Sequence, residues 1–120
     1  MAGNIARHLD FSLPGALTVQ DGTIRSYFGE AWSIIAVRAS VGTAPVGASI
    51  ILDVWKNGAT IYTTAANKPT IAAGANTVDA ALPDVTSIAA GDYLTVNIDQ
   101  VGSTTAGSDL VVEIVLAPAV

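Results

Sequence analysis

Residues 49–64 have the sequence Ser49-Ile-Ile-Leu-Asp-Val-Trp-Lys-Asn-Gly-Ala-Thr-Ile-Tyr-Thr-Thr64. Two runs rich in β-branched and aromatic residues flank Asn57-Gly58. Asn-Gly is the preferred centre of a two-residue type I′ hairpin turn, because both positions need positive φ. The stretch therefore predicts two antiparallel strands, Ser49–Lys56 and Ala59–Thr64, joined by a tight turn.

Similar runs, separated by turn residues, extend from this hairpin toward both ends of the chain and predict an all-β protein. The nine predicted strands are Leu9–Leu13, Ala16–Gln20, Thr23–Phe28, Trp32–Val41, Ser49–Lys56, Ala59–Thr64, Asn76–Asp79, Asp92–Val101 and Asp109–Ala117. So many short strands favour two packed sheets, because one open sheet would leave a face and two edges bare. We expect a single antiparallel β-sandwich, jelly-roll-like, over residues 9–120, with an N-terminal arm over residues 1–8.

The segment Asp84–Asp92 allows two interpretations. It could form one short helical turn, capped by Asp84 and ended by Gly91. It could equally be an irregular crossover between the sheets. Asp21-Gly22 is a second hairpin signal, between the strands predicted on either side of it.

The composition excludes several classes of function. Charged residues make up only 12% of the chain, hydrophobic residues 51%, and the net charge is −5. We therefore expect no nucleic-acid partner, which would need a clustered basic face, and no anionic membrane surface. The chain has no cysteine and one histidine, His8, so disulfides and thiolate metal sites are excluded. We expect neither enzymatic activity nor a cofactor.

Two predicted strands carry large apolar side chains on both faces. The second face of each strand holds a carboxylate between two apolar residues. In Ser49–Lys56 these residues are Ile51, Asp53 and Trp55, and in Asp109–Ala117 they are Val111, Glu113 and Val115. Loops or a sheet edge of the same chain could cover them, or they could form a subunit interface, which is the interpretation that we favour. Burying either carboxylate would require a cation, for which Arg38 and Lys56 are candidates.

Other chemical motifs are weak. Aspartates recur at predicted turns, but without the spacing of a calcium loop, and aspartate is an ordinary turn residue. Trp32 and Trp55 could stack on a sugar, although packing in a core or an interface is the simpler interpretation.

Three segments of the chain resemble structural proteins of tailed bacteriophages: residues 41–63 (Val41-Gly-Thr-Ala-Pro-Val-Gly onward through the hairpin), residues 68–77 (Lys68-Pro-Thr-Ile-Ala-Ala-Gly-Ala-Asn-Thr) and residues 89–103 (Ala89-Ala-Gly-Asp-Tyr-Leu-Thr-Val-Asn-Ile-Asp-Gln-Val-Gly-Ser). The resemblance extends over residues 30–116 and is to the β-sandwich module of tail fibre, minor tail and small head proteins. It implies a role on the virion surface, often as a homotrimer, and it supplies no catalytic residue.

The chain is the sandwich almost alone, without a fibre shaft. We therefore expect a capsid decoration protein that oligomerises, with a trimer favoured, and that binds the major capsid protein or other virion proteins on the capsid surface. The alternative is a receptor- or glycan-binding module of a tail or fibre. Within the arm, Ile5, Arg7, His8 and Leu9 are expected to contact the capsid or a neighbouring subunit, by adding a strand for example.

Overall fold

The structure, a computed structural model, describes residues 6–119. Over this range the chain forms ten strands and one 3₁₀ turn, Ala65–Asn67. The strands are β1 (Arg7–Ala16), β2 (Ser26–Tyr27), β3 (Trp32–Thr43), β4 (Ile50–Lys56), β5 (Ala59–Thr60), β6 (Thr70–Ile71), β7 (Thr77–Ala80), β8 (Ser87–Ile88), β9 (Tyr93–Gln100) and β10 (Ser108–Pro118). None of the described residues belongs to a helix that is long and apolar enough to cross a membrane.

The strands form two antiparallel sheets. Sheet A has the order β1-β10-β3-β7, with β8 also paired to β3. Sheet B has the order β2-β9-β4-β5, with β6 also paired to β4. A late strand thus lies between two early strands in each sheet, which is the arrangement of a jelly roll. The predicted all-β sandwich is confirmed.

The hairpin at Asn57-Gly58 forms as predicted. Asn57 and Gly58 have φ values of 54° and 84°, and Lys56 pairs with Ala59 across the turn. The second strand is shorter than predicted, because β5 ends at Thr60. Ile61 still donates a backbone hydrogen bond to Val54 at 3.0 Å, after which the chain leaves the strand direction and turns at Ala65–Asn67.

The core lies between the sheets and is built from the apolar faces that alternation predicts. Strands β4, β9 and β10 contribute many of the core side chains, and all of these are buried. They are Ile50, Leu52, Val54, Leu94, Val96, Ile98, Leu110, Val112, Ile114 and Leu116. In β3 the register shifts opposite Val115 and Leu116. Ile34 and Val37 consequently both face the core, while Ile35 is exposed.

The N-terminal quarter differs from the prediction. Arg7 and His8 do not belong to an arm, because β1 begins at Arg7 and pairs these residues with Leu116 and Val115 of β10. Ile5 lies outside the described residues. The first strand continues to Ala16.

The Asp21-Gly22 hairpin and the strand Ala16–Gln20 were wrong predictions. Gln20 instead forms one isolated bridge with Ile98, and the Gly22 amide donates to Asn97 Oδ1 at 2.8 Å. The segment therefore lies along β9, and only Ser26–Tyr27 remains as a strand.

The crossover interpretation is correct for residues 84–92, since they contain no helical turn. Ser87–Ile88 pairs with Ser33 and Trp32 instead. Asp84 bonds to Thr64 rather than capping a helix, accepting from the backbone amide at 2.7 Å and from the hydroxyl at 3.0 Å.

Candidate functional site

One side of the sandwich is not closed. Sheet A ends there with β1, and sheet B ends with β2 and the single bridge at Gln20. We call this surface the open side and define it as Arg7–Leu13 together with residues 19–30. Two clefts of about 310 Å³ and 290 Å³ run between these two edges, and both touch Leu9 and Ser26. The gap between the sheets is therefore accessible along most of β1.

The open side collects exposed apolar side chains. Val19 is 62% exposed, Ile24 75% and Tyr27 62%, and they are half of the six large hydrophobic residues that are exposed among the described residues. Ile24 lines the first cleft, whose walls also include the apolar residues Phe11, Leu13 and Val96. Exposed apolar surface of this kind is typical of a contact site with another protein.

Two arginines border the clefts. The Arg7 guanidinium lies 5.3 Å from the centre of the Trp32 ring. Arg25 lies 4.3 Å from the centre of the Tyr93 ring and donates to the Tyr27 hydroxyl at 3.0 Å. Neither arginine forms an ion pair with the described residues. The other basic residues do, and they are Arg38, Lys56 and Lys68.

A charged row crosses the outer face of sheet A. Glu113 accepts hydrogen bonds from His8 Nδ1 at 2.8 Å and from Arg38 at 2.9 Å, and Arg38 also contacts Asp79 at 3.0 Å. These contacts, that of His8 first, hold the pKa of Glu113 below its ordinary value. Arg38 is thus the cation beside Glu113, as anticipated. Beside the row, Val115 is buried.

The outer face of sheet B holds a buried carboxylate. Asp53, 3% exposed, accepts hydrogen bonds from Thr60 at 2.7 Å and from Trp55 Nε1 at 3.1 Å. Its cation is Lys68, at 3.3 Å, and not Arg38 or Lys56. Lys68 reaches it because the chain after β5 folds back beside β4, where Leu52 donates to Pro69 at 2.9 Å. Burial, with the charge of Asp53, raises the pKa of Tyr62 in the same segment.

The predicted interface residues lie on opposite faces of the molecule. Ile51, Asp53 and Trp55 are on the outer face of sheet B, and Val111, Glu113 and Val115 are on that of sheet A. They therefore do not form one patch. Asp53 and Val115 are buried by the chain itself, and the other four are half-buried. Their role as a subunit interface stays a prediction.

The predicted arm residues are differently placed. Arg7, His8 and Leu9 begin β1 and lie on the open side. The sequence signals did not single out Val19, Ile24 and Tyr27, the large hydrophobic residues that are exposed there. Their pattern is that of an ordinary strand, and only the missing neighbour of β2 reveals that they are uncovered.

Two solved structures share this fold. A chain of the cyanophage Pam1 capsid asymmetric unit superposes with a TM-score of 0.59 at 14% identity, covering 99% of this chain and 89% of that one. A chain of the capsid of Ralstonia phage GP4 gives 0.57 at 13% identity, covering 99% and 86%. No family model and no curated protein matches the sequence. The resemblance to phage virion sandwiches therefore holds at the level of the whole fold.

Proposed function

We propose that this protein is a structural component of a phage virion, specifically a decoration protein on the capsid surface. The observation that carries the proposal is the fold, shared over 99% of the chain with chains of two phage capsids. The match also covers 89% and 86% of those two chains. A compact sandwich with an exposed apolar side suits a role in which it is fixed against other virion proteins.

Decoration requires several weak contacts that act together. A homo-oligomer presents the same surface repeatedly to the repeating shell, so its contacts add through effective concentration. Three copies is the number that the family resemblance implies. We infer a structural rather than a catalytic role, because the charged groups at the centres of the two outer faces are held in ion pairs, Glu113 with Arg38 and Asp53 with Lys68.

The alternative is a receptor- or glycan-binding tail module, and one observation favours it. Tyr27 and Tyr93 lie with ring centres 5.1 Å apart on the surface, beside Asn57 and Asp92. However, the Asn57 side chain is already bonded to Asp92 at 2.8 Å and to the Tyr93 amide at 3.1 Å. Arg25 covers the Tyr93 ring. A sugar would have to displace these contacts, so decoration is the better-supported function.

Co-sedimentation with phage heads tests the proposal. Heads assembled from the phage's other virion genes, without this chain, are mixed with the purified protein and pelleted. Decoration predicts saturable binding, with a whole number of copies for each repeating unit of the shell. If the protein stays in the supernatant and instead binds host cells, and Tyr27→Ala abolishes that binding, the tail-module alternative is correct.

A further inference from the structure

The edge of sheet A on the open side is a regular strand without a neighbour. Arg7–Leu13 pairs with β10 on one side only, and no backbone group of residues 6–119 bonds to its other side. The regular pairing ends at Pro14 and Gly15. Gly15 has a φ of +86°, and the register with β10 shifts between Leu13 and Ala16. Unpaired edges of this length are sites where a further strand adds to a sheet.

We propose that a second copy of this chain occupies the open side, with the two β1 strands paired antiparallel about a two-fold axis. Such a contact uses the same patch on both subunits and needs a self-complementary strand. With Leu9 opposite Leu9 of the partner subunit, His8 faces Asp10 of the partner subunit, and the reciprocal pair forms as well. In its imidazolium form His8 can donate Nε2–H to this carboxylate while Nδ1–H stays bonded to Glu113, and opposite charges at directly opposed positions stabilise antiparallel strands.

The neighbouring registers lack this complementarity. When both sandwiches lie on the same side of the joined sheet, the two-fold axis must pass at a residue of β1 and not between two residues. The residue at the axis then lies opposite its own copy, so each register opposes a different pair of identical residues. An axis at Asp10 would oppose two aspartates, and an axis at His8 would oppose two histidines. Asp10 makes no hydrogen bond or ion pair with the described residues, and His8 uses only its Nδ1. Both side chains therefore remain available for the partner.

The same contact would cover the exposed apolar side chain of Ile24. Ile24 lines the first cleft, opposite Leu9–Leu13 of β1. A second sandwich that continues sheet A brings its own Ile24 to this cleft. The two open gaps would then close on each other, which removes apolar surface from water on both subunits.

This inference does not rest on the proposed function. A two-fold contact is also compatible with the trimer that the resemblance implies. Two trimers joined by two-fold contacts form a closed assembly of six subunits, which has both two-fold and three-fold axes. Failure of head binding would therefore leave the contact between copies untouched, and the reverse is equally true.

The first test measures the mass by light scattering at about 100 μM protein, where contacts of micromolar affinity are formed. Ile24→Asp places a charge in the contact, and the fold tolerates it because Ile24 is 75% exposed. We expect the wild-type mass to be halved, with a dissociation constant at least about tenfold weaker. The matched control is Leu82→Asp, at a 49% exposed position away from the open side, which should leave the mass unchanged.

The second test uses the absence of native cysteine. In the proposed register a single Leu9→Cys residue meets its own copy, at a Cα separation of about 5 Å that permits a disulfide. Mild oxidation should give a covalent dimer, and Leu82→Cys should give none. A monomeric wild-type protein, an unchanged mass for Ile24→Asp, or no disulfide at position 9 would each overturn the proposal.

Discussion

Asp53 is the residue whose environment departs most from an ordinary strand position. Its carboxylate is buried and accepts hydrogen bonds from Thr60 and Trp55 beside the Lys68 ammonium. Asp53→Ala would leave these donors without an acceptor, and breaking a buried pair in this way costs about 3 kcal/mol. Chemical denaturation should show the free energy of unfolding lowered by that amount.

Asp99→Ala is the matched control, because Asp99 binds the same lysine at 2.9 Å from a more exposed position, 34% against 4% for the side chain of Asp53. We expect it to lower the free energy of unfolding by less than about 1 kcal/mol. Equal effects of the two substitutions would mean that the buried carboxylate has no special role in holding residues 62–69 over β4.

The sequence predicts that Asp53 needs a cation, but not which one. Arg38 and Lys56 are candidates because they lie on predicted strands, whereas Lys68 follows a segment without periodicity. Its position beside Asp53 depends on how the chain returns after β5. By contrast, Arg38 lies directly opposite Glu113 once β3 and β10 are neighbours, so that partner could be anticipated.

Among the elements, the segment around Gly22 is held by contact with β9. A Cβ atom at Gly22 would lie 1.9 Å from the carbonyl oxygen of Val96, so backbone must shift to accept any side chain. Gly22→Ala should push the segment off the sheet and break its bond to Asn97. We expect the free energy of unfolding to fall by about 1–3 kcal/mol, the range for overpacking. Faster amide exchange of residues 20–24 would locate the change.

Gly29→Ala is the control for this substitution. Gly29 lies in the next connection, between β2 and β3, and a Cβ there would have no heavy atom within 4 Å. The free energy of unfolding should stay the same or rise by up to about 1 kcal/mol, because alanine restricts the unfolded chain. Comparable losses in both variants would show that the close approach at Val96 does not fix this segment.

Long strands are predictable here, and short edge elements are not. Alternation identifies β4, β9 and β10 and assigns their core faces correctly. Successive side chains point to opposite faces of a strand, so the face toward the core requires an apolar residue at every second position. Asp21-Gly22 has the local chemistry of a hairpin, but the Asn97 side chain captures the Gly22 amide and β9 takes the place of a partner strand. That competition depends on residues 75 positions apart and leaves no local signal.

On the scale of the whole molecule, the position of the candidate contact surface follows from topology and not from composition. The high apolar fraction predicts that some surface is covered in an assembly, but it does not say which surface. The predicted patch pairs residues of β4 with residues of β10, yet these strands belong to different sheets and turn their second faces in opposite directions. The open side arises instead because both sheets end on short or single-sided edges, which only the strand order determines.

The stability of the whole molecule should depend on pH through carboxylates distributed over both sheets. Hydrogen bonds lower the folded-state pKa of Glu113, through His8 first, of Asp84, through Thr64, and of Asp92, through Ala89. Below the ordinary pKa values of 4.5 for Glu and 3.8 for Asp, the unfolded state therefore binds more protons than the folded state. The stability that these carboxylates contribute is present above their ordinary pKa values, and it is lost as the pH falls through their lowered folded-state pKa values.

Thermal unfolding between pH 6 and about pH 3 measures this dependence. We expect the melting temperature of the wild type to drop as the pH falls below 4.5, the ordinary value for Glu. Glu113→Gln should melt lower at pH 6 and lose less on acidification, because it has no charge to neutralise. Glu30→Gln is the control, since Glu30 has no partner among the described residues, and its profile should parallel the wild type. A Glu113→Gln profile parallel to the wild type would contradict a role of the charged row across sheet A in stability.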